Sequence, residues 1–213
     1  MGPITSLTDP AAILAADTST IINLNATGCA SQILRFIPNR LVVTDVVLSE
    51  LEEGRRRGRS DADALQKLVK ASLVKIVTLD LEASPHFEQL VIGPAAMTVD
   101  DGEAATIAYA IGRAAVAVID ERKATRLCAE LFPSVRTACT VDILAHPQVQ
   151  DGLGKHMLAD AIFKALRVGR MRVFHQHLAW VIGLIGPDQA ALCISLPSSV
   201  RQSPGYPPER SPE

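Results

Sequence analysis

Short, almost unbroken apolar runs alternate with segments of helical periodicity over the first two thirds of the chain. Ile13 to Ala16 is the first such run. It ends on Asp17, with Thr18 and Ser19 behind it, which predicts a buried strand turning into a helix. Leu41 to Val43 is the second. Thr44 follows as a good N-cap, because its hydroxyl can accept an orphan amide, and a helical pattern continues to Gly54. A helix over 61–72 comes next, then a β-branched run from Lys75 to Leu79 closing on Asp80. An Ala-rich helix over 101–113 leads to a strand from Ala115 to Ile119 ending on Asp120, then a helix from Glu121 to Leu131. Ser134 to Thr137 reads as a short last strand. Strand–helix alternation of this kind predicts βαβ units, an α/β class and a parallel sheet.

Beyond about residue 150 the pattern changes. Met157, Leu158, Ala161, Ile162, Ala165 and Leu166 recur at helical spacing, and a second apolar helix is expected over 173–185. The expected organisation is a flexible leader over 1–12, an α/β domain over 13–150 and a helical extension over 151–197 packed on the core or on a partner. A disordered Pro- and Ser-rich tail is expected over 198–213.

Composition narrows the picture. The 213 residues are 48% hydrophobic, enough for one full core. A net charge of -2 argues against tight, phosphate-driven binding of duplex DNA, so any nucleic-acid contact should be local, brief or metal-mediated. Cys29, Cys128, Cys139 and Cys193 are scattered without a C-x-x-C pair. They indicate neither a zinc site nor a disulfide framework, and read as small buried residues in a reducing compartment. The N-terminal residues do not read as a signal peptide, and Leu178 to Gly186 is too short to span a bilayer, so a cytoplasmic protein without membrane contact is expected.

The candidate chemistry lies in carboxylates. Asp17 and Asp120 each close an apolar strand, and in a parallel sheet those ends share the edge where open α/β sheets bind ligands. Each also reads, taken alone, as a helix N-cap. Glu50 lies beside the inward stripe of its helix, three residues after Val47. Glu103 sits in VDDGEAATIAYA, where Asp100-x-x-Glu103 has the form of a capping box and Asp101 could also cap. Clustered carboxylates repel and raise one another's pKa, so a cluster of four implies a cation. All-oxygen donors suit Mg²⁺ or Mn²⁺, which in phosphodiester hydrolysis neutralise developing charge and acidify the attacking water.

The pieces ILAADTSTIINLNATG, VVTDVVLSELEEG, VDDGEAATIAYAIG and AVAVIDERKATRLCAELF fall in the order of a PIN domain. Over roughly 13–145 the chain resembles the branch of that superfamily whose third motif reads D-x-G-E-A and whose fourth reads D-[DE]-x-x-A-R. The resemblance implies a PIN-like three-layer fold, a central parallel sheet flanked by helices, followed here by the C-terminal helical extension. It also implies a Mg²⁺- or Mn²⁺-dependent endoribonuclease, many relatives being toxins of bacterial toxin–antitoxin pairs. On that likeness Asp17, Glu50, Glu103 and Asp120 are the catalytic, metal-holding acids, and Ser19 is a hydroxyl that orients the first. Asp100 and Asp101 stand near enough to substitute for Glu103, and either Asp120 or Glu121 fills the fourth position. RNA is the implied substrate, with DNA left open because hydrolysis by water does not need a 2′-hydroxyl. An antitoxin protein and a homodimer are the implied partners.

Other readings are weaker. A phosphoacceptor receiver domain would need an acidic pair after the first strand and a late Lys; Asp17 is followed by Thr18. No P-loop occurs. Asp142 and His146, like His156 and Asp160, read as surface helix pairs, and His175 and His177 fall on different faces of a helix. Arg55, Arg56, Arg57 and Arg59 form a basic turn that either steers RNA phosphate or pairs with Glu52 and Glu53. The alternative from another class is a catalytically weak PIN-like scaffold that binds a partner through the helices of 156–185.

Overall fold

The computed structural model describes residues 5–201. Five strands, β1 (Ile13–Ala16), β2 (Arg40–Thr44), β3 (Val74–Val77), β4 (Val116–Val118) and β5 (Arg136–Ala138), form one sheet in the order β3-β2-β1-β4-β5. Every pairing is parallel, with Ala15 opposite both Val42 and Ala117. Successive strand residues point to opposite faces, and both faces are covered. Leu14, Ala16, Leu41, Val43, Val116 and Val118 enter one core, while Ala15, Val42, Ala117 and Ile119 enter the other. That is why the strands read as unbroken apolar runs rather than as alternating ones.

The helices α1 (Thr18–Ala26), α2 (Ala30–Phe36), α3 (Asp45–Arg56) and α4 (Asp61–Lys70) precede β3, and α5 (Ser84–Val91) and α6 (Asp101–Arg113) follow it. Beyond β4 come α7 (Arg122–Leu131) and α8 (Thr140–Leu144). Thr44 caps α3 by accepting from the Val47 amide at 3.3 Å. The fold is therefore a three-layer α/β sandwich with a central parallel sheet. α6 packs its Ala104, Ile107 and Ala110 on the face made by Ala15 and Ala117, where small side chains let the helix lie close to the sheet.

The C-terminal part is helical: α9 (Pro147–Lys164), a π-helical turn over Ala165–Gly169, α10 (His175–Ile185), α11 (Pro187–Ala191) and α12 (Ser198–Arg201). Leu158, Ile162, Leu166, Val181 and Ile185 join the same core as Leu14 and Val43, so this part packs on the α/β domain, with Trp180 and Leu184 half-buried against it. Met157, expected on the buried stripe, is exposed. α2 and α5 do not appear among the elements expected from the sequence.

Two expectations are corrected at the ends. The leader expected to be flexible over 1–12 is docked where it is described: Leu7 is buried in the core, and Thr5 and Ser6 donate to the carbonyl and carboxylate of Asp142 at 3.0 and 2.8 Å. The tail expected to be disordered from residue 198 begins with α12, and residues 202–213 lie outside the described residues. No described helix is long and apolar enough to cross a membrane.

Candidate functional site

The order β3-β2-β1-β4-β5 reverses direction between β1 and β4, and the reversal opens a crevice at the carboxyl ends of those two strands. Asp17 follows β1, and Asp120 comes just after β4. Both are almost wholly buried. Asp17 is the N-cap of α1: its Oδ1 accepts from the Thr20 amide at 2.7 Å and its Oδ2 from the Ser19 hydroxyl at 2.7 Å. Asp120 is held by three donors. The Thr140 amide reaches Oδ1 at 2.7 Å, and the Thr140 hydroxyl and Asn23 Nδ2 reach Oδ2 at 2.5 and 2.6 Å. The sequence left the fourth position open between Asp120 and Glu121. The structure points Asp120 inward, whereas Glu121 precedes α7 and pairs with Arg172.

Glu103 stands on the first turn of α6, half-buried, with Oε2 accepting from the Asp100 amide at 3.3 Å. The capping contact and the approach to the crevice thus coexist. Asp101 is exposed and does not line the crevice; Asp100 does. Glu50 is placed differently from the other three acids. Its Oε2 accepts from the Thr18 hydroxyl and its Oε1 from the Gly102 amide at 2.9 Å; of the four acids Glu103 and Asp120 line the crevice, and Glu50 and Asp17 do not. A β-carbon on Gly102 would stand 2.3 Å from Glu50 Oε2 and 2.8 Å from Thr18 Oγ1, so only glycine lets α3, α1 and α6 meet here.

Burial, and then the charge of Asp120, push the Asp17 carboxyl up to about 7. Burial, and then the charge of Asp17, push Glu103 to about 7 as well. Burial raises Asp120 above the ordinary carboxylate value even though Thr140 and Asn23 donate to it. Among the described residues no lysine or arginine forms an ion pair with any of the three. The carboxylate oxygens of the three do not all come within 4.8 Å of one another, so the group is an open one. Asn23 Oδ1, a buried amide oxygen beside Asp120, has no hydrogen-bond partner. Uncompensated carboxylates and an orphaned carbonyl oxygen are a donor set that fits a hard divalent cation.

The crevice encloses about 580 Å³. Ser19, Asn23, Glu103, Asp120 and Glu121 line one side, and Val168, Gly169, Arg170 and Arg172 the other. The second wall comes from the helical extension, a contribution that sequence reasoning missed. It is fixed by Gly169, whose position leaves a β-carbon only 2.6 Å from Asn23 Oδ1 and 3.1 Å from Ala26 Cβ. The π-helical turn therefore lies against α1, and Arg170 leaves it in a left-handed conformation (φ 56°).

The basic segment behaves otherwise than a free basic turn. Arg55 and Arg56 belong to the last turn of α3, and Arg55 pairs with Glu52 at 2.7 Å. Arg57 pairs with Glu53 at 2.8 Å, and Arg59 with Asp61 at 3.0 Å. Of the four only Arg59 lines the crevice.

A second buried cluster brings together Cys139, Asp142 and His177, and it corrects the reading of Asp142. Asp142, expected on a surface helix with His146, is buried in α8, and His146 instead caps α9. The cysteines, read from the sequence as small buried residues that indicate no zinc site, include Cys139 beside Asp142 and His177. One ligand atom from each of the three lies within 4.8 Å of the other two.

A family model described as a PIN domain matches residues 13–186. The match takes in the sheet, the four acids and the segment that forms the second wall. A search of curated proteins found no match to the chain.

Proposed function

The chain belongs to the PIN-domain family, a nuclease-type fold, and from that premise we propose that it is a divalent-metal-dependent endoribonuclease. The observation that carries the proposal is the uncompensated group Asp17, Glu103 and Asp120 at the carboxyl edge of the sheet, opening into a crevice with arginines on its far wall. Asp17, Glu103 and Asp120 would hold Mg²⁺ or Mn²⁺. When bound, the ion would supply charge neutralisation at the phosphate and a more acidic water.

The rest of the work falls to this chain's own side chains. Ser19 and the Thr20 amide fix the orientation of Asp17. Thr140 and Asn23 fix that of Asp120. Glu50 acts as a brace, joining Thr18 to the first turn of α6 and so setting where Glu103 stands. Arg59, Arg170 and Arg172 line the crevice, Arg59 paired with Asp61 and Arg172 with Glu121, so Arg170 is the lining cation outside any ion pair among the described residues. It would take a phosphate beside the scissile bond. A crevice with so few cations, in a chain of net charge -2, suits a brief, local hold on a single strand rather than a grip on duplex DNA.

The test is cleavage of a mixed panel of single-stranded RNA and DNA with Mg²⁺ or Mn²⁺, wild type beside Asp17→Asn prepared identically. The expected result is metal-dependent RNA cleavage by wild type only. Equal rates for the two proteins would overturn the assignment, and cleavage of DNA alone would move the substrate class.

A further inference from the structure

Cys139, Asp142 and His177 come from three parts of the fold: the end of β5, the first turn of α8, and α10 of the C-terminal part. All three are nearly fully buried. The Cys139 thiol donates to Asp142 Oδ2 at 3.0 Å, and the Cys139 amide reaches the same oxygen at 2.9 Å. The other oxygen, Oδ1, accepts from the Ser6 amide at 2.8 Å. His177 Nε2 is 3.6 Å from Oδ1, beyond hydrogen-bond distance, and is a buried nitrogen with no partner. An orphaned imidazole nitrogen in the core is costly, and it is aimed at a carboxylate and a thiol.

We propose that Cys139, Asp142 and His177 form a second metal site, specific for a borderline-soft divalent cation, Zn²⁺ foremost. The chemistry of the donors separates this site from the acidic crevice. A thiolate, an imidazole and a carboxylate favour zinc, whereas the crevice offers only oxygen. Tetrahedral Zn²⁺ takes sulfur at about 2.3 Å and nitrogen or oxygen at about 2.0–2.2 Å. Such bonds set neighbouring ligand atoms roughly 3–4 Å apart, so the present spacings need only a small inward closure.

An adjoining cavity of about 320 Å³, bordered by Ser6, Thr137, Phe174 and Gln176, leaves a fourth position for water. Binding removes one proton: the thiol S–H bond breaks, sulfur bonds the metal, and the proton leaves to solvent. Because that proton must leave, uptake strengthens as pH rises.

The site would pin residue 6 and α10 to the end of the sheet. Thr140, next to Cys139, holds Asp120, so a metal here would also stiffen the support of the crevice.

The experiment uses the full chain, stripped with a chelator and titrated with Co²⁺ as the spectroscopic probe. The expected result is a thiolate-to-Co²⁺ charge-transfer band that saturates at one equivalent and is displaced by Zn²⁺. Cys139→Ser and His177→Gln should lose the band, and Cys193→Ser should keep it. Asp17→Asn should also keep it, which separates this site from the nuclease reading: an acidic crevice without sulfur yields no such band. Absence of the band in folded wild type, or its survival in Cys139→Ser, would overturn the proposal. Should the Cys139 variant fail to fold, X-ray absorption at the zinc edge of the wild type decides. One sulfur and an imidazole shell support the site, and a shell of oxygen alone overturns it.

Discussion

Asp17→Asn is the most informative change at the carboxyl edge of the sheet, because its effect on stability can be worked from the structure without any assumption about substrate. The Asp17 carboxyl titrates near 7 in the folded protein against an ordinary value of 3.8. A carboxyl raised by folding binds its proton more tightly in the native state. Its contribution to stability is therefore full below pH 3.8, falls as pH rises toward 7, and stays low above that. One pKa unit is worth about 1.4 kcal/mol, so the loss over this window is about 4 kcal/mol for metal-free protein. Asn keeps the shape and can still accept from the Thr20 amide, while removing the charge that burial and Asp120 penalise. In chelated buffer the variant should thus gain on wild type by up to about 4 kcal/mol at pH 8, and by little at pH 4. Urea unfolding followed by circular dichroism at the two pH values measures this directly. Mn²⁺ should then narrow that gap. At about 100 times its Kd it adds about 2.7 kcal/mol to wild type at pH 8 and far less to Asp17→Asn. The reasoning fails if both proteins lose stability equally between pH 4 and pH 8, or if Mn²⁺ stabilises both alike.

Gly102→Ala forces a β-carbon into the Glu50 carboxylate and the Thr18 hydroxyl. It should cost about 1–3 kcal/mol in chemical denaturation and abolish cleavage. Glu50→Gln keeps the volume but weakens the brace. RNA cleavage should fall while affinity for RNA, read by fluorescence anisotropy, holds. Thr140→Val deletes a buried donor to Asp120 and should cost about 1–3 kcal/mol, seen as a lower melting midpoint. Arg170→Ala should weaken RNA binding and lower the salt slope by about 1. Arg57→Ala, whose guanidinium is already paired with Glu53, should leave both unchanged in the same titration.

What could be read from the sequence and what could not divides along the range of the interactions involved. β1, β2 and β4 are covered on both faces, so each announces itself as an apolar run ending on a polar residue. Asp17 and Thr44 cap the helices that follow through contacts three residues long, and contacts of that length leave a local signal. The parallel sheet then brings Asp17 and Asp120 to one edge, a step that needs only the strand–helix alternation. The supports of Asp120 left no such signal. Thr140 lies 20 residues further along and Asn23 lies 97 residues before it, and each reads locally as an ordinary helical residue. The far wall of the crevice depends on Gly169 lying against Asn23, and without that contact Val168 to Arg172 reads as the frayed end of an amphipathic helix. The basic run at 55–59 left two readings open, phosphate steering or pairing with Glu52 and Glu53, and the pairs that form are local: Arg55 with Glu52, Arg57 with Glu53 and Arg59 with Asp61. Cys139 and His177 are 38 positions apart, so no spacing rule for metal ligands could join them. Only the packing of α10 on the end of the sheet does so, and a ligand set assembled that way depends on the fold that holds it.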